Sequence, residues 1–145
     1  MNVREINRLI NEVCYKNIYG LTETVKYKAS CMKKNVPVVF STDKNFFPYF
    51  LVALESIIQN SNLNVGYKII LLNADLTESD EKIILERIKN HPNFSICLID
   101  VSDLVEKYEL NKFMTANHLS VSTYYRLLIG EILKEYDKII YLDVI

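Results

Sequence analysis

Glycine is scarce in this chain, and the scarcity removes the commonest ways of holding a nucleotide. Gly20, Gly66 and Gly130 are the only three among 145 residues. None falls in a G-x-G-x-x-G or G-x-x-x-x-G-K-[ST] arrangement, so the backbone cradle of dinucleotide oxidoreductases and P-loop phosphotransferases is missing. Cysteine is equally sparse. Cys14, Cys31 and Cys97 are odd in number, widely spaced and without a C-x-x-C pair. That argues against structural zinc and against a disulfide framework pairing them all. Reduced thiols in a cytoplasmic protein are the plain expectation.

Charge of one sign is lacking too. Seventeen basic residues face eighteen acidic ones, no Lys/Arg block stands out, and nucleic acid is therefore not expected as a partner. The apolar runs fall short of the ~20 residues needed to cross a bilayer. The opening MNVREINRLINEV is charged throughout and lacks the apolar segment of a secretory signal. Internal repeats and low-complexity segments are absent.

What is present is a sizeable core. Half of the residues are hydrophobic, and a single domain of this length buries roughly 70% of its unfolded surface. From Val36 onward, short apolar runs alternate with helical patterns. VPVVFS (36–41) is expected as a buried strand. Phe47, Phe50, Leu51, Leu54, Ile57 and Ile58 then share one helix face, with Pro48 in the first turn where its missing N–H costs nothing. YKIILLN (67–73) is a second strand, and Thr77 to Asp80 a capping-box type of start for a helix running to about Lys89. His91-Pro92-Asn93 breaks that helix. FSICLID (94–100) is a third strand, and VSDLVEKY a short helix for which Ser102 is a candidate cap. HLSVSTYYRLLIGEILKEY contains a fourth helix with Tyr125, Leu128, Ile129, Ile132 and Leu133 inward. Arg126 lies off that stripe, and Gly130 within it costs ~1 kcal/mol against alanine. KIIYLD (138–143) is a fourth strand.

This alternation predicts an α/β fold with a mostly parallel sheet of about four strands and helices on both faces. Right-handed crossovers place every strand C-terminus on one edge, where ligands bind at the reversal of strand order. Asp43, Asp100 and Asp143 all follow apolar strands at that rim. Residues 1–34 differ: Val3, Ile6, Leu9, Ile10 and Val13 form an amphipathic helix, and a helical extension is expected there, preceding a domain over 35–145. A diphosphate bound without glycine amides needs positive charge from elsewhere. A divalent cation held by acids at a strand end is one source.

VVFSTDKNFFPYFLVALESI, KIILLNADLTE, ICLIDVS, HLSVSTYYRLLIGEIL and YDKIIYLDV occur in this order and spacing. Together they resemble the N-terminal half of family 8 glycosyltransferases, retaining enzymes of the Rossmann-like GT-A fold that use nucleotide sugars. The resemblance covers about Val36 to Val144. It implies transfer of a hexose from a UDP-sugar to a glycan or lipopolysaccharide acceptor, with Mn²⁺ or Mg²⁺ as cofactor. It implies a nucleotide-sugar site in the loop after the first strand, Ser41 and Thr42 leading to Asp43 on the uracil ring, Asn45 near the nucleoside and Phe46 stacking. Arg126 matches the family's helix arginine, directed at the donor's sugar or phosphate. The family's Asp-x-Asp matches Asp143-Val144-Ile145: the first acid is kept as a metal ligand, the second is isoleucine.

Plainer roles stand beside these. Asp43 on position alone is equally a cap for the helix beginning near Phe46. Arg126 has Asp100 and Glu131 as candidate surface partners. Tyr124 and Tyr125 suit core packing, His118 a loop, His91 a solvated turn, and Asp100 the end of its strand. The chain is expected to be a shortened family 8 enzyme, with little turnover by itself and weak cation binding. Its location is expected to be cytoplasmic, at the inner membrane face in full-length form. The alternative is a degenerate, non-catalytic binding or assembly module, self-associating through its open sheet edge.

Overall fold

The computed structural model describes residues 35–113 and 120–144. Four parallel strands form its centre: β1 (Asn35–Ser41), β2 (Gly66–Asn73), β3 (Phe94–Asp100) and β4 (Ile140–Tyr141), in spatial order β3-β2-β1-β4. Helices α1 (Phe47–Gln59) and α2 (Glu78–Ile88) connect the first three strands. After β3 come α3 (Ser102–Lys107), a 3-10 turn (Leu110–Phe113), a longer 3-10 helix (Val121–Leu128) and α4 (Ile129–Ile132). The α/β expectation is met, with every strand pair parallel.

Strand alternation sorts the apolar runs into two cores. Val38, Ile69 and Ile96 are register partners across β1, β2 and β3, as are Phe40, Leu71 and Leu98. Both rows face α1 and α2, where Phe47, Phe50, Leu54, Ile84 and Ile88 complete the first core. The offset row Val39, Ile70 and Cys97 faces the opposite way, against Val105, Leu110, Tyr125, Leu128 and Leu133. A strand buried on both faces must be apolar throughout, which is why these runs lack polar alternation. Pro37 precedes Val38 and Val39, the two residues of β1 that pair with β4, a position where its missing N–H disturbs little of the ladder.

Three expectations are corrected. The fourth helix is a 3-10 helix over Val121–Leu128 that becomes α-helical only at Ile129–Ile132. Its first turn is tightened from the side: Ser120 caps the backbone N–H of Ser122, and both serine hydroxyls bond the Asp43 carboxylate. Serine, threonine and paired tyrosines offer little intrinsic α-preference to resist this. The fourth strand spans Ile140–Tyr141, shorter than 138–143, although the Leu142 N–H still bonds the Val39 carbonyl at 3.0 Å. Ser102 is not the cap of α3: the N-cap is Val101, and Ser102, the first helical residue, donates its N–H and hydroxyl to Asp100. Thr77, by contrast, starts α2 with the expected capping box, Asp80 as its reciprocal partner.

The helical extension of 1–34, Cys14, Cys31, His118 and Ile145 lie outside the described residues. Among those residues, no helix is long and apolar enough to cross a membrane.

Candidate nucleotide-sugar site

The chain runs β1, β2, β3 in one direction across the sheet, then returns to place β4 on the other side of β1. The order therefore reverses between β1 and β4, and the C-terminal ends of these two strands border the crevice where ligands of doubly wound sheets bind. Ser41 to Phe46 leave β1 on one side of it. Tyr141 to Asp143 leave β4 on the other, and the 3-10 helix carrying Arg126 lies beside both.

Ser41 is buried, and its hydroxyl shares a 2.7 Å hydrogen bond with that of Tyr141. Thr42 is also buried. Its N–H extends the ladder to the Leu72 carbonyl at 3.1 Å, and its hydroxyl donates to the Asp43 carbonyl at 3.1 Å. Asp43 is half-buried and has two faces. Oδ1 accepts the Phe46 N–H at 3.0 Å, closing the turn into α1. Oδ2 accepts the hydroxyls of Ser120 and Ser122, the latter at 3.3 Å. The helix-capping role is thus present, on one oxygen. Asn45 is exposed, while Phe46 is half-buried with its ring 5.8 Å from that of Tyr49.

Arg126 is fixed on three sides. Nε donates to the Thr123 carbonyl at 2.8 Å, Nη2 donates to Asp143 Oδ2 at 2.8 Å, and the guanidinium lies 5.4 Å from the centre of the Tyr141 ring. Its partner is therefore neither Asp100 nor Glu131. Glu131 instead takes Lys107 and the Tyr108 hydroxyl. Ser122 touches Asp43 and the adjacent Thr123 holds Arg126, so the 3-10 helix joins the two sides of the crevice.

Three acids of the rim act on the Tyr125 phenol. Tyr125 is in the core, and its phenol is pushed up to about 12, first by burial and then by the charges of Asp75, Asp43 and Asp100. Those acids do not make a metal centre. Among the described residues, no group of three or more His, Cys, Asp or Glu side chains is placed to hold a cation. A hard divalent ion takes six or more oxygens, several of which waters and substrate phosphates supply. Asp143 offers one carboxylate, with Oδ2 in a hydrogen bond to Arg126, and the sequence has isoleucine at 145. These residues alone do not complete a cation site, and a cation held here would depend on substrate phosphates and water for most of its oxygens.

Sequence reasoning missed Ser120, Ser122 and Tyr141. Tyr141 carried a signal: it is two residues before Asp143, hence on the same side of an extended segment. The serines were legible as polar residues at the helix start, but their partner lies 77 and 79 residues earlier.

An all-parallel sheet whose order reverses between β1 and β4 defines a doubly wound α/β domain. The family model described as glycosyl transferase family 8 matches residues 37–144, and the chain belongs to that family. A Haemophilus influenzae protein named "Putative glycosyltransferase" is 28% identical over 107 residues, covering 74% of this chain and 31% of that protein. The apo structure of the bifunctional glycosyltransferase WbbM superposes with a TM-score of 0.61 at 29% identity, over 79% of this chain and 19% of WbbM. The galactosyltransferase LgtC, solved with donor and acceptor sugar analogs, shares the fold: TM-score 0.59, 24% identity, 75% of this chain and 37% of LgtC. The chain spans about a third of the length of the curated relative it matches.

Proposed function

We propose that residues 35–145 form the donor-binding part of a hexosyltransferase, holding a UDP-sugar in the β1–β4 crevice for transfer to a glycan or lipopolysaccharide acceptor. The observation that carries the reading is the pairing of one acceptor and one cation across the switch point, Asp43 on the β1 side and Arg126 beside β4, joined through Ser122 and Thr123. Uracil presents an N–H donor on its ring edge where cytosine presents an acceptor, so a carboxylate at Asp43 favours uracil. Ser120 and Ser122 can rotate their hydroxyls to release or share Oδ2. Phe46 supplies a flat apolar face for the base, and Asn45 lies near the ribose.

Breaking the sugar–diphosphate bond leaves negative charge on the diphosphate, which must be met by fixed positive charge. In this chain Arg126 is the group in place. A guanidinium matches phosphate geometry with two parallel donors, and the diphosphate, carrying more charge than Asp143, draws it from that carboxylate. Mn²⁺ or Mg²⁺ remains the expected cofactor of the family, but no step is assigned to it on these residues. The boundary at residue 34 and a cytoplasmic setting, in keeping with three widely spaced cysteines that form no C-x-x-C pair in the sequence, belong to the same proposal.

Isothermal titration with UDP, CDP and ADP tests it. UDP is expected to bind, more tightly than CDP, and Asp43→Asn to narrow that preference. Absence of binding at millimolar UDP overturns the proposal.

A further inference from the structure

The β1–α1 loop contains no glycine and no proline between Ser41 and Phe47, so nothing in its own backbone presets its shape. Its conformation is held by one side-chain acceptor of its own and by two brought from elsewhere. Asp43 takes the Phe46 N–H. The Lys44 N–H donates to both carboxylate oxygens of Asp75, at 3.1 and 3.2 Å. The Lys44 ammonium reaches Asp80, 2.6 Å from Oδ1. One residue thus ties the loop after β1 to the turn after β2 at two points.

The far anchor is buried and hydrogen-bonded. Asp80 is the reciprocal partner of the Thr77 capping box, accepting the Thr77 N–H and hydroxyl, each at 2.8 Å. Its side chain is only 6% exposed, and Leu76 and Ile84 on either side of the cap are core residues. A nearly buried carboxylate needs its charge met. The Lys44 ammonium meets it from outside α2, so the buried acid and the loop constrain each other.

We propose that Lys44 is a positioning residue for the nucleobase: it sets the loop that carries Asp43, Asn45 and Phe46 by fastening it to the N-terminus of α2. This rests on the UDP-binding reading above. Lys44 itself touches no ligand in this scheme. Its ammonium points to Asp80, while Asp43 before it bonds Ser120 and Ser122 and Asn45 after it is exposed.

The test is titration of Lys44→Met, Lys44→Arg and Asp80→Asn with UDP, CDP and pyrophosphate, each variant also followed by thermal unfolding. Lys44→Met is expected to weaken UDP by roughly tenfold, the scale of one well-placed hydrogen bond, and to narrow the UDP-over-CDP preference. Pyrophosphate, which depends on Arg126, is expected to bind Lys44→Met and wild type alike. Lys44→Arg keeps a charged donor and is expected to restore most of the preference. If Lys44→Met does not fold, Asp80→Asn carries the test, with the same loss of base preference expected. A folded variant with wild-type UDP affinity and base preference overturns the proposal, as does equal weakening of UDP and pyrophosphate. Wild-type chain that fails to bind UDP overturns the underlying reading instead.

Discussion

Arg126 and Asp143 close a salt bridge on the β4 side of the switch point, Nη2 to Oδ2 at 2.8 Å, each side chain 38% exposed. The arginine and the acid proposed to face the donor's diphosphate are therefore each other's partners in the free chain. The pair defines a competition: a diphosphate must replace Asp143 on Arg126, or be shared with it.

Removing the arginine is expected to cost about 1.5–3 kcal/mol of UDP binding, the usual worth of hydrogen bonds to a charged group. Removing the acid acts the other way. Asp143→Asn frees the guanidinium and is expected to tighten UDP several-fold at low ionic strength in the presence of a chelator. The gain should fade with salt, as partly exposed charges are screened. Titration of both variants at two salt concentrations checks this. A loss of affinity in Asp143→Asn matching that of Arg126→Ala would mean that the acid, and not the arginine, carries the phosphate contact.

The metal prediction follows from the donor set. With one carboxylate engaged by Arg126 and isoleucine at 145, UDP affinity of this chain is expected to change less than roughly threefold between chelator and excess Mn²⁺, since a hard cation needs several oxygens to stay in place. Ile145→Asp restores the second acid and is expected to introduce Mn²⁺ dependence. Strong Mn²⁺ dependence in the unmodified chain would show that the cation finds ligands other than those identified.

The core makes a sharper claim about stability. Phe50 is fully buried, 5.2 Å edge-to-face from Phe40 and stacked at 6.1 Å on Phe47. Phe50→Ala is expected to destabilise by about 3–5 kcal/mol. Val52, two residues on, is 70% exposed, and Val52→Ala should stay within about 0.5 kcal/mol of wild type. Urea denaturation of the two variants distinguishes them, and similar midpoints would contradict the assignment of faces on α1.

How far these features were legible depends on what fixed them. The strands were readable because both faces are covered, leaving unbroken apolar runs such as Ile69 to Leu72. The α1 stripe was readable because Phe47, Phe50, Leu54 and Ile58 are buried at helical spacing. The 3-10 helix was not. Residues at i and i+3 lie together in both helix types, and the Asp43 bonds to Ser120 and Ser122 at its start come from a distant loop. The Lys44–Asp80 link, 36 residues apart, and the Ser41–Tyr141 hydroxyl pair, 100 apart, leave no local pattern at all. Asp43 shows the mixture in one residue: its helix-turn role followed from position, whereas its hold on the 3-10 helix required the fold.

Gly130 offers an inexpensive gain. It is exposed within α4, and a methyl group added there would meet nothing within 4 Å. Alanine restricts the unfolded chain and suits a helix, so Gly130→Ala is expected to stabilise by about 0.5–1 kcal/mol. Thermal unfolding measures it directly, and a lowered midpoint would point to a backbone conformation there that alanine resists.

Asp80 gives the stability curve a predictable acid limb. Burial alone would raise its pKa, but the Lys44 ammonium and the two Thr77 donors outweigh burial and hold it below the ordinary 3.8. A carboxyl whose folded pKa is depressed adds stability above the unfolded value, and that contribution is lost as the pH falls through the folded value. Stability from this group is therefore complete above about pH 5 and declines below pH 3.8. Glu81 beside it behaves oppositely. Burial and the neighbouring Glu78 raise its pKa, so it favours the folded state most when protonated and loses that contribution as the pH rises through the raised value. Lys44→Met removes the main opponent of burial at Asp80 and should move the acid limb to higher pH. Glu81→Gln should leave that limb in place while relieving the penalty near neutrality. Urea midpoints from pH 3 to 7 for the two variants separate the contributions. An acid limb unmoved by Lys44→Met would mean that the Thr77 cap alone holds the Asp80 charge.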